Sequence, residues 1–298
     1  MEMAAIAAEQ DNAVRPGVIR ELYERMSPCR LCPRNCGTER AKGLTGYCGI
    51  GVRARVSSFG PHFGEESVLV GRGGSGTIFF AGCNLGCVFC QNYEISQLRQ
   101  GSDADVEELA EMMLALAGQG CSNVNLVTLT HMVGPIVAAI DAARRRGMRL
   151  PIVYNSGGYD SVETLRLLEG WVDIYMPDMK YGRGGAAELS DAADYAEINR
   201  AAVKEMHRQV GDLEVADGLA RRGLLIRHLV LPRRQAGSFA VLDFLADEVS
   251  ARTAVNVMDQ YRPCHRACEY PKIARRPTQD EVREVIDCAR DKGLRIID

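Results

Sequence analysis

Cys83, Cys87 and Cys90 fall within the stretch Ala81-Gly-Cys-Asn-Leu-Gly-Cys-Val-Phe-Cys-Gln-Asn-Tyr93. A chain with three thiols on one short loop has to fold around whatever those thiols hold. Three thiolates can cap three irons of a cubane cluster and leave the fourth open, whereas the usual electron-transfer cluster has all four irons capped by protein. No cysteine or histidine follows Cys90 until Cys121, so a small molecule is expected to complete the shell. The competing reading is a zinc knuckle or a set of structural thiols, but a structural zinc site closes with four ligands. Gly82 and Gly86 let the loop backbone crowd a bulky ligand.

The other thiols bound the compartment. Eleven cysteines in 298 residues cluster in groups of three and four with metal-ligand spacing, which argues against a secreted disulfide framework and for a reducing compartment. At 46% hydrophobic, the chain can build one large core, or a core with a small appendage. Met1–Gln10 carries acidic residues and neither a cationic start nor a long apolar core, and no run approaches about 18 apolar residues. These features give the expectation of a soluble, cytoplasmic protein with no membrane partner. The formal charge of −3 offers polyanions no global attraction, so a nucleic-acid partner is disfavoured. Arg144–Arg146 and Arg275–Arg276 read as solvated basic faces.

Short apolar β-rich runs alternate with longer helical patterns, which predicts an α/β fold of βα units on a parallel sheet. The strands are expected at Thr77–Ala81, Val124–Thr128, Ile152–Asn155, Asp173–Met176, Leu224–Leu231 and Ala254–Met258. Helices are expected at Val106–Ala117, Val133–Arg146, Ser161–Glu169, Ala192–Val210 and Phe239–Ser250. Asp160-Ser161 and Ser238 are candidate N-caps, and Gly147 and Gly170 candidate stops. Thr278–Lys292 reads as an amphipathic helix with Thr278 and Glu281 as a capping box, followed by Gly293 and a short strand over Leu294–Ile297. The cysteine loop directly follows the first strand, which is where a βα barrel carries its active site.

Ahead of that strand, Cys29, Cys32, Cys36 and Cys48 form C-x2-C-x3-C-x11-C. Four thiolates suffice for a closed zinc site or a second iron–sulfur cluster, and a segment this rich in Gly and Pro needs such a staple. The expected division is an N-terminal extension over residues 1–70 with this four-cysteine metal site, and a catalytic unit over 71–298. Cys264 and Cys268 in Gln260-Tyr-Arg-Pro-Cys-His-Arg-Ala-Cys268 would share one face if helical, with a metal, redox or hydrogen-donor role set against two incidental thiols. Cys121 and Cys288 read as small buried hydrophobes.

The spacing C-x3-C-x2-C, with Phe89 just before the last cysteine, resembles the signature of the radical S-adenosylmethionine superfamily. That resemblance implies a 4Fe-4S cluster on Cys83, Cys87 and Cys90. Its free iron chelates S-adenosylmethionine, and reductive cleavage yields a 5'-deoxyadenosyl radical that abstracts hydrogen. It also implies a partial (β/α)6 TIM-type barrel, here with the N-terminal cysteine-rich, metal-stapled extension.

The four-cysteine prelude, Asn125–His131, Tyr154–Tyr159, Met176–Tyr181 and Arg227–Pro232 together resemble the subfamily similar to pyruvate formate-lyase activating enzyme. By that resemblance Phe89 and Tyr93 pack near the adenine. Thr128, Thr130 and His131 replace a Gly-Gly-Glu stretch that binds the methionine amino group, although His131 reads equally as a core-edge histidine. Asn155 and Ser156 stand in a motif for the methionine carboxylate and a monovalent cation, and Asp178 with Lys180 matches its Asp-x-Lys, against an ordinary salt bridge between the two. Arg227 and His228 alternate along a strand, so one faces inward, and His228 is the expected one. The implied substrate is a glycine of a partner enzyme, with a low-potential flavodoxin or ferredoxin as electron donor. Another protein, a small metabolite or RNA remains an alternative substrate, and a redox-carrier or interaction module the non-enzyme alternative.

Overall fold

The apolar runs become strands because parallel sheets buried on both faces are built from continuous Val, Ile and Leu segments. The computed structural model describes residues 16–182 and 186–298; the Met1–Gln10 stretch lies outside them. Among the described residues the strands are β1 (Ala54–His62), β2 (Ser75–Phe80), β3 (Ser102–Ala104), β4 (Val124–Val127), β5 (Ile152–Ser156), β6 (Ile174–Pro177), β7 (Glu214–Ala216), β8 (Leu219–Leu229), β9 (Ala254–Met258) and β10 (Arg295–Ile296). They form one central sheet of order β10-β9-β8-β6-β5-β4-β2-β1-β3, with β7 on β8. From β2 through β10 every step along that path is parallel, while β1 runs antiparallel to β2 and to β3.

Helices cross between successive parallel strands, giving a mixed α/β fold. They are α1 (Pro16–Glu24), α2 (Val106–Gly118), α3 (Val133–Arg145), α4 (Val162–Leu167), α5 (Tyr195–Val210), α6 (Ser238–Phe244) and α7 (Gln279–Asp291), with shorter turns between. Thr278 and Glu281 close the expected capping box on α7, and Ser161 caps α4 by accepting from Thr164 N at 3.4 Å. Gly147 and Gly170 sit at positive φ just past α3 and α4. Ser238 does not cap α6. Gly237 holds that position and Ser238 is the first helical residue.

Alternation along the strands sorts the side chains onto two faces. Ile78, Leu126, Tyr154, Tyr175, Leu224 and Ile226 join the helices in the main core. Val153, Ile174, Met176 and Leu225 point to the other face and pack with Leu69 and Leu213. Beyond the C-terminal strand ends, Leu85, Phe89, Tyr181, Tyr195 and Tyr261 build a third apolar cluster, with Cys83 and Cys90 against its edge. A helical reading of Gln260–Cys268 does not hold. The segment runs as turns into a short 3-10 turn at Ala267–Glu269, which leaves Cys268 exposed. Among the described residues no helix is long and apolar enough to cross a membrane.

Candidate functional site

The cysteine loop leaves β2 through Gly82, whose φ is +80°. A Cβ there would stand 2.5 Å from Ile50 Cγ1 and 2.8 Å from the Cys48 carbonyl oxygen, so only glycine lets the loop turn against the N-terminal segment. Past that turn, Cys83, Cys87 and Cys90 line one cavity of about 200 Å³. The strand ends supply the rest of its wall: Thr128 after β4, Asn155 and Ser156 on β5, Asp178 and Lys180 after β6, Arg227 on β8 and Met258 on β9. Each sulfur has a hydrogen-bond partner. Leu85 N donates to Cys83 Sγ at 3.4 Å, Ser190 Oγ lies 3.0 Å from Cys87 Sγ, and Ser96 Oγ lies 3.2 Å from Cys90 Sγ.

Burial pushes the Cys83 and Cys87 thiols up, and the nearby Lys180 ammonium works the other way. Burial also opposes the Lys180 charge, but Asp178, its ion-pair partner, and the Cys87 thiol outweigh it, so the Lys180 pKa is raised. Arg227 faces Glu66 at 3.5 Å, Glu65 at 3.6 Å and Asp178 at 3.8 Å. Beneath the β5 turn, Asn199 of α5 donates to the Gly158 and Asp178 carbonyls at 2.9 Å each. The Tyr195 hydroxyl accepts from Lys180 N at 3.1 Å. Helix α5 thus fixes both wall segments. The Asn155 amide nitrogen is buried and has no protein partner among the described residues.

Of the residues singled out in the sequence, Cys83, Cys87, Cys90, Phe89, Asn155, Ser156 and Asp178 meet at this cavity. Four others do not. Tyr93 stacks on His265 at 4.8 Å between ring centroids. The Thr130 hydroxyl is taken by Asp160 at 2.7 Å. His131 is wholly buried, its Nε2 at 2.9 Å from the Ala81 carbonyl oxygen, and burial drives its pKa down to about 4; it is a core histidine. His228 points away from the cavity, with Nδ1 at 2.6 Å from Met179 O and Nε2 at 2.8 Å from Ser238 Oγ, so Arg227 is the inward member of that pair.

Thr128 and Arg227, both inside motifs already quoted, line the cavity where those four do not. Thr128 holds the left-handed backbone at φ +62°, a strained conformation of the kind that concentrates at functional sites. Lys180 was legible only as a partner of Asp178 and lines the cavity beside it.

The four N-terminal cysteines lie on the far side of the same loop. Cys29, Cys32 and Cys48 are buried and Cys36 is exposed. Burial pushes Cys32 up to about 12, whereas hydrogen bonds from Thr38 overcome the burial of Cys36 and bring it down to about 7. Among the described residues no three His, Cys, Asp or Glu side chains converge on one point as ligands of a single ion would. A cubane does not ask for that geometry, since each thiolate takes a different iron.

Three likenesses accompany this geometry. Residues 77–182, from β2 to just past the Asp178–Lys180 pair, match the family model described as the Radical SAM superfamily. An uncharacterized protein of Methanocaldococcus jannaschii, MJ0674, is 33% identical over 278 residues, covering 90% of this chain and 76% of that one. The crystal structure of a radical SAM methyltransferase from Sphaerobacter thermophilus superposes with a TM-score of 0.52 at 13% identity. That likeness covers 74% of this chain and 64% of the other, and is a likeness of fold.

Proposed function

This chain belongs to the radical SAM superfamily, and on that premise we propose that Cys83, Cys87 and Cys90 hold its 4Fe-4S cluster and that S-adenosylmethionine occupies the adjoining cavity. The observation that carries the reading is the meeting of three thiols from one strand-end loop with the buried, unpartnered Asn155 amide and the Asp178–Lys180 pair. The donor set fits. Thiolates are the protein ligands of iron–sulfur clusters, and hydrogen bonds to the sulfurs tune them; Lys180 supplies a cation beside them. When bound, the cluster and S-adenosylmethionine together supply a 5'-deoxyadenosyl radical that takes a hydrogen atom from a substrate.

The chain's own contribution is positional. Asn155 offers a free N–H for a carboxylate, Phe89 closes an apolar wall, and Thr128, Ser156, Asp178 and Arg227 offer polar groups around the same space. Strands β2, β4, β5, β6, β8 and β9 with their helices are read as a partial (β/α)6 barrel whose C-terminal strand ends carry this site. The four N-terminal cysteines hold a second metal. The substrate is the α-hydrogen of a glycine in a partner enzyme, as the likeness to pyruvate formate-lyase activating enzymes suggests, and a low-potential flavodoxin or ferredoxin supplies the electron.

The test is anaerobic reconstitution with iron and sulfide, dithionite reduction and chromatographic detection of 5'-deoxyadenosine, with Cys83→Ala/Cys87→Ala/Cys90→Ala alongside. Cleavage lost in the triple variant supports the reading; cleavage retained in it overturns it. The substrate is tested separately by deuterium transfer into 5'-deoxyadenosine. Label arriving from glycine-deuterated protein supports the glycine reading, and label arriving from a small-molecule pool rejects it.

A further inference from the structure

We infer that Ser190 and Tyr181 form a two-hydroxyl relay that donates a hydrogen bond to the Cys87 sulfur and raises the reduction potential of the cluster held there. The inference rests on the reading of the Cys83–Cys90 site given above. Ser190 Oγ lies 3.0 Å from Cys87 Sγ and 2.7 Å from the Tyr181 hydroxyl. Ser190 is wholly buried and Tyr181 is 1% exposed. Among the described residues the Tyr181 hydroxyl has no other hydrogen-bond partner.

Counting protons fixes the direction. A thiolate bound to iron has no proton to give, so Cys87 accepts and the Ser190 hydroxyl donates to it. Each hydroxyl carries one proton and two lone pairs, so Tyr181 donates to Ser190 Oγ and both protons are used. The opposite order, with Ser190 donating to Tyr181, would leave the phenolic proton buried without an acceptor, which is costly.

The backbone aims this hydroxyl. Gly86 N donates to the Ser190 carbonyl at 3.1 Å and Val88 N to the Leu189 carbonyl at 2.9 Å, so both neighbours of Cys87 are tied to the segment that carries Ser190. Next along that segment, Asp191 holds the left-handed backbone at φ +52° and accepts from the Tyr47 hydroxyl at 2.7 Å. The other two sulfurs are served locally, Cys83 by Leu85 N and Cys90 by Ser96. Of the three, Cys87 alone draws on a segment 103 residues away, and its donor is backed by a second donor.

The consequence is electrostatic. One electron from the external carrier takes the cluster from the 2+ to the 1+ state, and both hydroxyl protons stay on their oxygens. The added negative charge spreads onto the sulfurs, so a hydrogen bond to sulfur favours the reduced state. Hydrogen bonds in a row polarise one another, so Tyr181 strengthens the bond that Ser190 makes.

The experiment uses the full chain, reconstituted anaerobically with iron and sulfide, as wild type, Ser190→Ala, Tyr181→Phe and Cys83→Ala/Cys87→Ala/Cys90→Ala. The paramagnetic resonance signal that wild type shows and the triple variant lacks is titrated against potential, with iron per chain measured alongside. A hydrogen bond to a charged acceptor is worth about a tenfold factor in an equilibrium. Ser190→Ala should therefore keep wild-type iron with a midpoint about 59 mV lower, the equivalent of tenfold for one electron. Tyr181→Phe should move the midpoint the same way by less. A midpoint unchanged or raised in Ser190→Ala at full iron overturns the inference. Should Ser190→Ala fail to hold the cluster, Tyr181→Phe decides: a lowered midpoint supports the relay and an unchanged one overturns it. A wild-type signal that persists in the triple variant would instead overturn the reading of the Cys83–Cys90 site, so the two failures are distinguishable.

Discussion

The Ser156 hydroxyl donates to Oδ2 of Asp160 at 2.7 Å, so a residue on the cavity wall is held by a carboxylate buried behind it. Oδ1 of the same Asp160 accepts from Thr130 and from Tyr154, each at 2.7 Å. Burial raises the Asp160 pKa while the three hydroxyls pull it down. Asp160→Ala should therefore cost about 3 kcal/mol, because three buried donors lose their acceptor together. Asp160→Asn should cost less, since one acceptor oxygen remains. Urea unfolding with an unchanged m-value checks the order. Equal midpoints for wild type and Asp160→Ala would mean that the hydroxyls find other partners.

His131 makes a prediction about acid. Its pKa is driven from 6.5 down to about 4 by burial, so below pH 6.5 the unfolded chain binds a proton that the folded chain refuses. Stability from this residue is complete above pH 6.5 and falls as the pH drops toward 4, by up to about 3 kcal/mol at 1.36 kcal/mol per pKa unit. His228 is shifted in the same direction by burial. His131→Asn should be less stable than wild type at pH 7, yet should lose less stability between pH 6.5 and 4. Parallel curves for the two proteins across that range would rule out His131 as the source.

The parallel strands and the helices between them were legible because period 2 and period 3.6 are written in apolar residues. β1, β3 and β7 were not. β1 carries Ser57, Ser58, Gly60 and Pro61 on an antiparallel strand at one side of the sheet, with four of its nine residues exposed, so no apolar run marks it. The cavity was legible through its cysteines and through motifs at strand ends. The choice within each motif was not, because it depends on which neighbour is turned inward. Thr130 went to Asp160, which sits thirty residues away, and His228 went to Ser238 on α6. Glu65 and Glu66, which confront Arg227, lie more than 150 residues from it in sequence and carry no local motif.

That acidic pair gives the third prediction. Burial opposes the Arg227 charge, but Glu66, Asp178 and Glu65 together raise its pKa. Arg227→Met leaves two buried carboxylates unpaired, and breaking such a group from one side costs about 3–5 kcal/mol. Adding Glu66→Gln to Arg227→Met should recover part of the loss, because a neutral amide keeps the bond that Asn256 Nδ2 donates at 2.9 Å. A double-mutant cycle by thermal and urea unfolding reads the coupling directly. Additive losses would show that Glu66 does not depend on Arg227 for compensation.

Gly158 ties the wall of the cavity to helix α5, and three glycines separate the causes. At Gly170, φ is +83° and nothing stands within 4 Å of an added Cβ, so Gly170→Ala should cost only the left-handed backbone, about 1–2 kcal/mol. At Gly158, φ is +74° and the Cβ would meet the Asp178 carbonyl oxygen at 2.0 Å and Asn199 Nδ2 at 2.3 Å. Gly158→Ala should cost clearly more than Gly170→Ala, because a backbone atom has to move and Asp178 is displaced with it. At Gly157 the nearest atom is Leu85 Cδ1 at 3.0 Å, the end of a flexible side chain, and φ is not positive. Gly157→Ala should therefore be the mildest of the three. Unfolding midpoints should rank Gly157→Ala above Gly170→Ala above Gly158→Ala, and S-adenosylmethionine binding, measured by calorimetry on reconstituted protein, should weaken most in Gly158→Ala. Equal midpoints for Gly158→Ala and Gly170→Ala would show that the Asp178 carbonyl yields freely, and that α5 does not fix the wall on which Asp178 and Lys180 stand.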